Sequence, residues 1–202
     1  MWKRLGRAFI WGQCPNYVIA FVTGRCNFNC RFCCYSAQYN RGMAANGELS
    51  PEQWAALFSG ANALLHLTIT GGEPFLRKDL AELIILSARA CGVPRISINT
   101  NGFFTDRVIS TLKTLLNELD GVEISLAVSL DGPESIHDAI RGKDGAYRAA
   151  RETITEAARL RECHTHFSLR ASSVVCRENA DVLETFLEET ARWPIDYHDL
   201  GL

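Results

Sequence analysis

The 202-residue sequence contains no stretch of about 18 apolar residues, so it offers no transmembrane helix. It has no large excess of either charge: 21 Lys and Arg stand against 23 Asp and Glu, a formal net charge of −2. That balance argues against bulk electrostatic attraction to nucleic acid or to an anionic membrane. No repeat, low-complexity tract or interdomain linker interrupts the chain. Near the start, Lys3, Arg4 and Arg7 precede Phe9, Ile10 and Trp11, but this apolar run is too short for a signal-peptide core and lacks a small-residue cleavage site. A secreted disulfide framework would be smaller and denser in cysteine, so the eight cysteines read as thiols of a reducing cytosol. The expected location is cytoplasmic.

Residues 1–50 hold six Lys or Arg and one acid, Glu48, which leaves −7 on the remainder. The bland reading of that asymmetry is a solvated basic rim, and it is preferred to an acidic partner. Residues 1–16 are expected to form an N-terminal extension and 17–202 a single core domain, a size that suits the length.

From Tyr17 onward, short apolar runs alternate with helical patterns. Tyr17–Thr23, Leu65–Thr70, Arg95–Asn99, Val122–Leu130 and His166–Val175 read as strands, and Ile195–Leu202 as a sixth whose unit is incomplete. Between them lie helical patterns, the first opened by Ser50-Pro51-Glu52-Gln53, a capping box with Pro at the first helical position. Others cover Asp79–Ala90, a stretch through Leu119, about Gly145–Glu162 and Asn179–Arg192. Strands separated by such helices indicate βαβ units and a parallel sheet. A closed eight-unit barrel takes roughly 250 residues, so the predicted architecture is α/β, a partial (β/α)6 barrel of parallel strands open on one side. An open doubly wound sheet is the alternative. Ligands gather at the carboxyl ends of the strands in both, and the unusual motifs here all fall at such ends.

The first is Cys26-Asn27-Phe28-Asn29-Cys30-Arg31-Phe32-Cys33, a CxxxCxxC loop after the first strand. Its spacing lets one loop wrap three thiolates around a single centre. Structural zinc takes four ligands, for which Cys34 or a distant cysteine is available. A [4Fe–4S] cluster on three cysteines instead keeps one iron open to an external ligand. The third reading is three unliganded thiols. After the second strand, Gly71-Gly72-Glu73-Pro74 pairs two residues that permit close backbone approach with a carboxylate suited to a cationic amine. Strand parity then places Ser97, Asn99 and Asn101 on one face, as it does Ser125, Ser129 and Asp131, and Arg170, Ser172 and Cys176. Buried without partners, such groups cost about 1–3 kcal/mol each, so a polar ligand, ordered water or neighbouring side chains must satisfy them.

With these motifs together, the chain resembles the radical S-adenosylmethionine (SAM) superfamily, nearest its molybdenum-cofactor cyclase and peptide-modifying branches. The resemblance runs over roughly residues 17–192 and includes CNFNCRFC, GGEP, INTNG (98–102), SLDGP (129–133) and LRASSVV (169–175). It implies a [4Fe–4S] cluster on Cys26, Cys30 and Cys33, whose open iron is chelated by SAM, and a reductant such as flavodoxin or ferredoxin. It implies a 5′-deoxyadenosyl radical that abstracts hydrogen from an unidentified small-molecule or peptide substrate. It places Gly71, Gly72, Glu73 and Pro74 at SAM's amino group, Asn99 and Ser129 at its ribose or carboxylate, Arg170 at the carboxylate and Ser172 at the ribose. His137 and Arg141, in the HDAIRG segment, are read first as a loop lock and second as substrate contacts.

Two departures temper the comparison. No cysteine follows Cys176, which puts in doubt the auxiliary clusters of peptide-modifying relatives, and the sixth strand lacks its helix. Cys34 and Cys176 are read as bystanders, and Cys14, Cys91 and Cys163 as packing residues. A non-catalytic iron–sulfur or zinc protein, acting in electron transfer or as a binding module, would explain the cysteines but leave GGEP and the inward polar residues unused. A scaffold with a degenerate site is opposed by the intact CxxxCxxC and Glu73.

Overall fold

Six parallel strands pair strictly in chain order: β1 (Tyr17–Thr23), β2 (His66–Gly71), β3 (Arg95–Thr100), β4 (Glu123–Ser129), β5 (Phe167–Val174) and β6 (Tyr197–Gly201). The structure is a computed structural model and describes residues 15–33 and 47–201; the segment before Pro15, Cys14 and Cys34 lie outside the described residues. A doubly wound sheet reverses its strand order at a switch point, whereas an order that only advances, with crossovers of one hand, carries its helices on one face. The sheet is therefore the curved wall of a partial barrel, with β1 and β6 as its edges among the described residues.

Six helices lie between the strands among the described residues: α1 (Pro51–Phe58), α2 (Leu80–Cys91), α3 (Thr105–Glu118), α4 (Glu134–Arg141), α5 (Ala146–Leu160) and α6 (Leu183–Thr190). Helix α1 starts as the sequence predicts, with Ser50 Oγ accepting from Gln53 N and Gln53 Oε1 accepting from Ser50 N. Helix α2 stops at Gly92, in the left-handed region at φ 59°. Outward strand residues such as Leu67, Ile69, Ile98, Leu126 and Leu169 join Leu83, Ile84, Leu112, Leu115 and Ile154 of the helices in one continuous buried core.

Two elements depart from the sequence reading. The segment 134–141 is a short helix, α4, rather than a loop at a helix entrance. Helix α6 begins only at Leu183, not Asn179. Asn179 is fully buried and its amide donates to Asp131 O (2.8 Å) and Val174 O (2.9 Å), which holds residues 176–182 in turns.

The inner face is polar across β2 to β5. Register aligns Thr68, Ser97, Ser125 and Ser168 as one row of hydroxyls across β2 to β5, with Asn99, Ala127 and Arg170 in the next row. Closed barrels fill this space with branched aliphatics. Here the core lies outside the wall, and the inner surface presents polar groups from β2 to β5 beside the exposed Ile19 and Phe21 of β1.

Candidate functional site

The cysteine loop leaves β1 at Thr23 and crosses the carboxyl ends of the strands. Two backbone bonds pin it on either side of Cys30: Asn29 N donates to Arg141 O (3.2 Å) and Arg31 N to Ile140 O (2.9 Å). Those carbonyls close α4, where a helix end has no intrahelical donors left, so the loop satisfies the helix while the helix fixes the loop. The approach demands Gly142, at φ +61°, whose added Cβ would stand 2.6 Å from Asn29 O. Phe28 is buried edge-on to Phe103, and Cys33 N donates to Cys30 O (3.2 Å), closing a turn between the second and third cysteines.

The paired glycines press on the same loop. Gly72 N donates to Thr23 O (2.8 Å) and Glu73 N to Arg25 O (2.7 Å). An added Cβ on Gly72 would lie 2.1 Å from Arg25 O. The close approach expected of this motif is thus made first to the protein's own backbone. With these amides occupied, the segment offers acceptor atoms to a ligand rather than donors.

Glu73 is 1% exposed. Its carboxylate accepts from Phe75 N (3.1 Å), Thr100 Oγ1 (2.9 Å) and Asn101 N (2.7 Å), tying the end of β2 to that of β3. Burial pushes its pKa up to about 7 against the lowering effect of those bonds. His137, at the other side of the site, is fully buried; its Nδ1 accepts from Asp131 N (3.0 Å), and burial first, then Arg141, pushes its pKa down to about 4. These groups act oppositely on stability. A buried carboxyl with a raised pKa keeps its proton longer than in the unfolded chain, so its contribution falls as pH rises from 4.5 to about 7. A histidine with a lowered pKa contributes above 6.5 and loses that contribution as pH falls towards 4. Replacing Glu73 with Gln removes only the first effect. Urea unfolding at pH 5 and 7.5 is expected to show the variant gaining roughly 2–3 kcal/mol less than the parent on going to the lower pH. Equal differences for the two chains would refute the assignment.

Cys26, Cys30, Cys33, Gly71, Gly72, Glu73, Asn99, Ser129 and Ser172 all line one cleft of about 320 Å³, a size at the lower end of small-molecule sites. Thr70, Thr100, Asn101, Ala127, Arg141 and the rings of Phe21, Phe28 and Phe32 complete it. Two predicted site residues stand apart. Pro74 is buried and opens the 3-10 turn Pro74–Leu76 behind the cleft. Arg170 lines a second cavity nearer the amino ends of the strands, its Nη1 bonded to Asp199 Oδ2 (2.6 Å) and its guanidinium over the Tyr197 ring. Both partners lie on β6. Sequence reasoning did not single out Arg77, which is buried and ties Val22 O, Leu49 O and Asp79 together at the loop's base. Its only sequence signal is its place three residues after GGEP's proline.

Burial pushes the Cys26 thiol up to about 11, with Glu73 and the neighbouring sulfurs adding to it. Burial also raises Cys30, while Arg141 pulls it down. Such thiols ionise when a bound metal supplies positive charge. Among the described residues, no three His, Cys, Asp or Glu side chains converge on a single-ion position. Three half-buried cysteines lining one cleft are the donor set of a cluster on three thiolates, one short of the four ligands that structural zinc takes. Of the other cysteines, Cys91 is buried as expected of a packing residue, but Cys163 is exposed on the turn after α5, so it does not pack.

The sequence profile described as the Radical SAM superfamily matches residues 21–170. The sporulation killing factor maturation protein SkfB of Bacillus subtilis is 27% identical over 173 residues, covering 84% of this chain and 38% of SkfB. GTP 3′,8-cyclase of Klebsiella pneumoniae is 26% identical over 145 residues, covering 68% of this chain and 44% of the cyclase. In fold, the chain is similar to the crystal structure of Streptococcus suis SuiB, with a TM-score of 0.68 and 16% identity over 98% of this chain and 42% of SuiB. The chain thus spans less than half the length of these proteins.

Proposed function

The chain belongs to the radical SAM superfamily, whose cofactors are a [4Fe–4S] cluster and SAM, and from that membership we propose that it is an enzyme abstracting hydrogen from a small metabolite or a peptide. The observation that carries this reading is the convergence of three cysteine sulfurs, the GGE segment and the strand-end polar side chains on one cleft. When bound, the cofactors supply one-electron cleavage of the sulfonium and the 5′-deoxyadenosyl radical.

The protein's part is to bind, orient and shield. Cys26, Cys30 and Cys33 are the residues that would hold the cluster, and with only three thiolates supplied by the protein, SAM would be able to bind it. Gly71 and Gly72 present acceptors to SAM's ammonium group, with the Glu73 charge behind them. Asn99, Ser129 and Ser172 reach its carboxylate or ribose from three adjacent strands. Arg170 pairs with Asp199 through Nη1 and orders the wall beneath the nucleotide, while its buried Nε has no hydrogen-bond partner among the described residues. The row of hydroxyls below suits a hydrophilic group of the substrate. A reductant of the flavodoxin or ferredoxin kind delivers the electron.

Anaerobic reconstitution with iron and sulfide, followed by dithionite and SAM, tests the reading. The expected products are 5′-deoxyadenosine and methionine in equal amounts. A protein with a confirmed cluster that forms neither overturns it, and a colourless zinc-loaded protein would make it a metal-stabilised binding module instead.

A further inference from the structure

Arg141, read in the sequence first as a loop lock and second as a substrate contact, holds the cysteine loop through its carbonyl, and its side chain reaches the same loop. Its side chain is 9% exposed, its Nε donates to Asp131 Oδ2 (2.5 Å) and its Nη1 to Cys30 Sγ (3.8 Å). The guanidinium also lies over the Phe32 ring, 5.1 Å from its centroid, in the same loop. Asp131 is itself immovable: it is fully buried, its Oδ1 accepts from Val174 N (2.9 Å) and its carbonyl from Asn179 Nδ2 (2.8 Å). One edge of the guanidinium is thereby fastened to the scaffold while another faces a sulfur.

Resting on the reading that Cys30 is a cluster ligand, we infer that Arg141 is a positioning residue that raises the cluster's reduction potential through the Cys30 sulfur, with Asp131 as the opposing charge that orients and moderates it. Reduction adds one electron from the reductant and breaks no bond, so the reduced cluster is one charge more negative. A guanidinium stays protonated throughout, and its N–H groups favour the state with more charge on sulfur. The low-dielectric setting strengthens this preference, because neither Arg141 nor Asp131 is screened by water. A lock with no electrostatic purpose would need only the backbone bonds from Asn29 and Arg31, which do not involve the side chain.

The test is an EPR-monitored redox titration of the reconstituted full chain, with iron content measured alongside. Arg141→Gln is expected to lower the equilibrium constant for reduction about tenfold, which is about 59 mV for a one-electron couple. Arg141→Lys keeps the charge and should retain most of the parent potential. Asp131→Asn removes the opposing charge and should move the potential the other way. A purely structural role would loosen the loop in all variants and shift them in one direction. The inference is overturned by an unchanged potential in an iron-replete Arg141→Gln protein, or by Gln and Asn variants shifting together. Should Arg141→Gln take up no iron, Asp131→Asn decides alone: a positive shift supports the inference, and none or a negative one rejects it. A parent protein that binds no cluster is a different result, since it overturns the functional reading itself.

Discussion

A Cys30→Ala protein is expected to lose SAM cleavage by at least about a thousandfold, roughly 4 kcal/mol of transition-state stabilisation, while keeping its fold. The two halves of that expectation have separate causes. Cys30 is only half-buried, and its loop is held by backbone bonds to Ile140 and Arg141 that do not require sulfur, so the change in unfolding free energy should stay within about 1 kcal/mol. A cluster on three cysteines has no spare protein ligand among the described residues, since Cys91, Cys163 and Cys176 lie outside the cleft. Iron content by chemical assay, 5′-deoxyadenosine by chromatography and a thermal melt on the same sample check it. A variant that melts like the parent yet still cleaves SAM would show that another group holds the metal.

The wall of the barrel was legible because its chemistry is local. The first three strands are rich in β-branched residues, and period-two alternation already separates Ile96 and Ile98, which join the outer core, from the inward Ser97 and Asn99. The three cysteines and the GGE segment were legible because they fall at strand ends, where this architecture gathers ligands. What stayed hidden depends on distance in the chain. Arg170 reads as a free cation on an inward face until β6 brings Asp199 beside it, 29 residues later. Asn179 reads as a helix start until Asp131 and Val174 claim its amide. The role of α4 as a clamp on the cysteine loop joins residues 111 positions apart, and no periodicity encodes such a pairing. Local pattern fixed which residues face inward; only tertiary register showed which of them are already spoken for.

Gly72→Ala should be as damaging to the cluster as losing a ligand, though it removes nothing. The added Cβ would sit 2.1 Å from Arg25 O and 3.1 Å from Cys26 Cβ, against backbone with no flexible end to swing away. Normal carbon contacts lie at about 3.5–4.0 Å, so the loop must retreat by more than an ångström. Doing so stretches the bonds from Gly72 N to Thr23 O and from Glu73 N to Arg25 O, and carries Cys26 out of line with Cys30 and Cys33. Overpacking typically costs about 1–3 kcal/mol and each strained bond about 0.5–1.5, so a loss of roughly 2–4 kcal/mol in unfolding free energy is expected. Iron retention should fall at least as steeply, because a sulfur held an ångström out of place cannot complete the third corner. Gly121→Ala is the control: its φ of +74° makes alanine strained, but nothing lies within 4 Å of the new Cβ. It should lose about 1–2 kcal/mol and bind iron as the parent does. If Gly72→Ala also retained its iron and cleaved SAM at the parent rate, the loop would not be seated on this glycine, and the geometry assigned to the site would have to be redrawn from Cys26 outward.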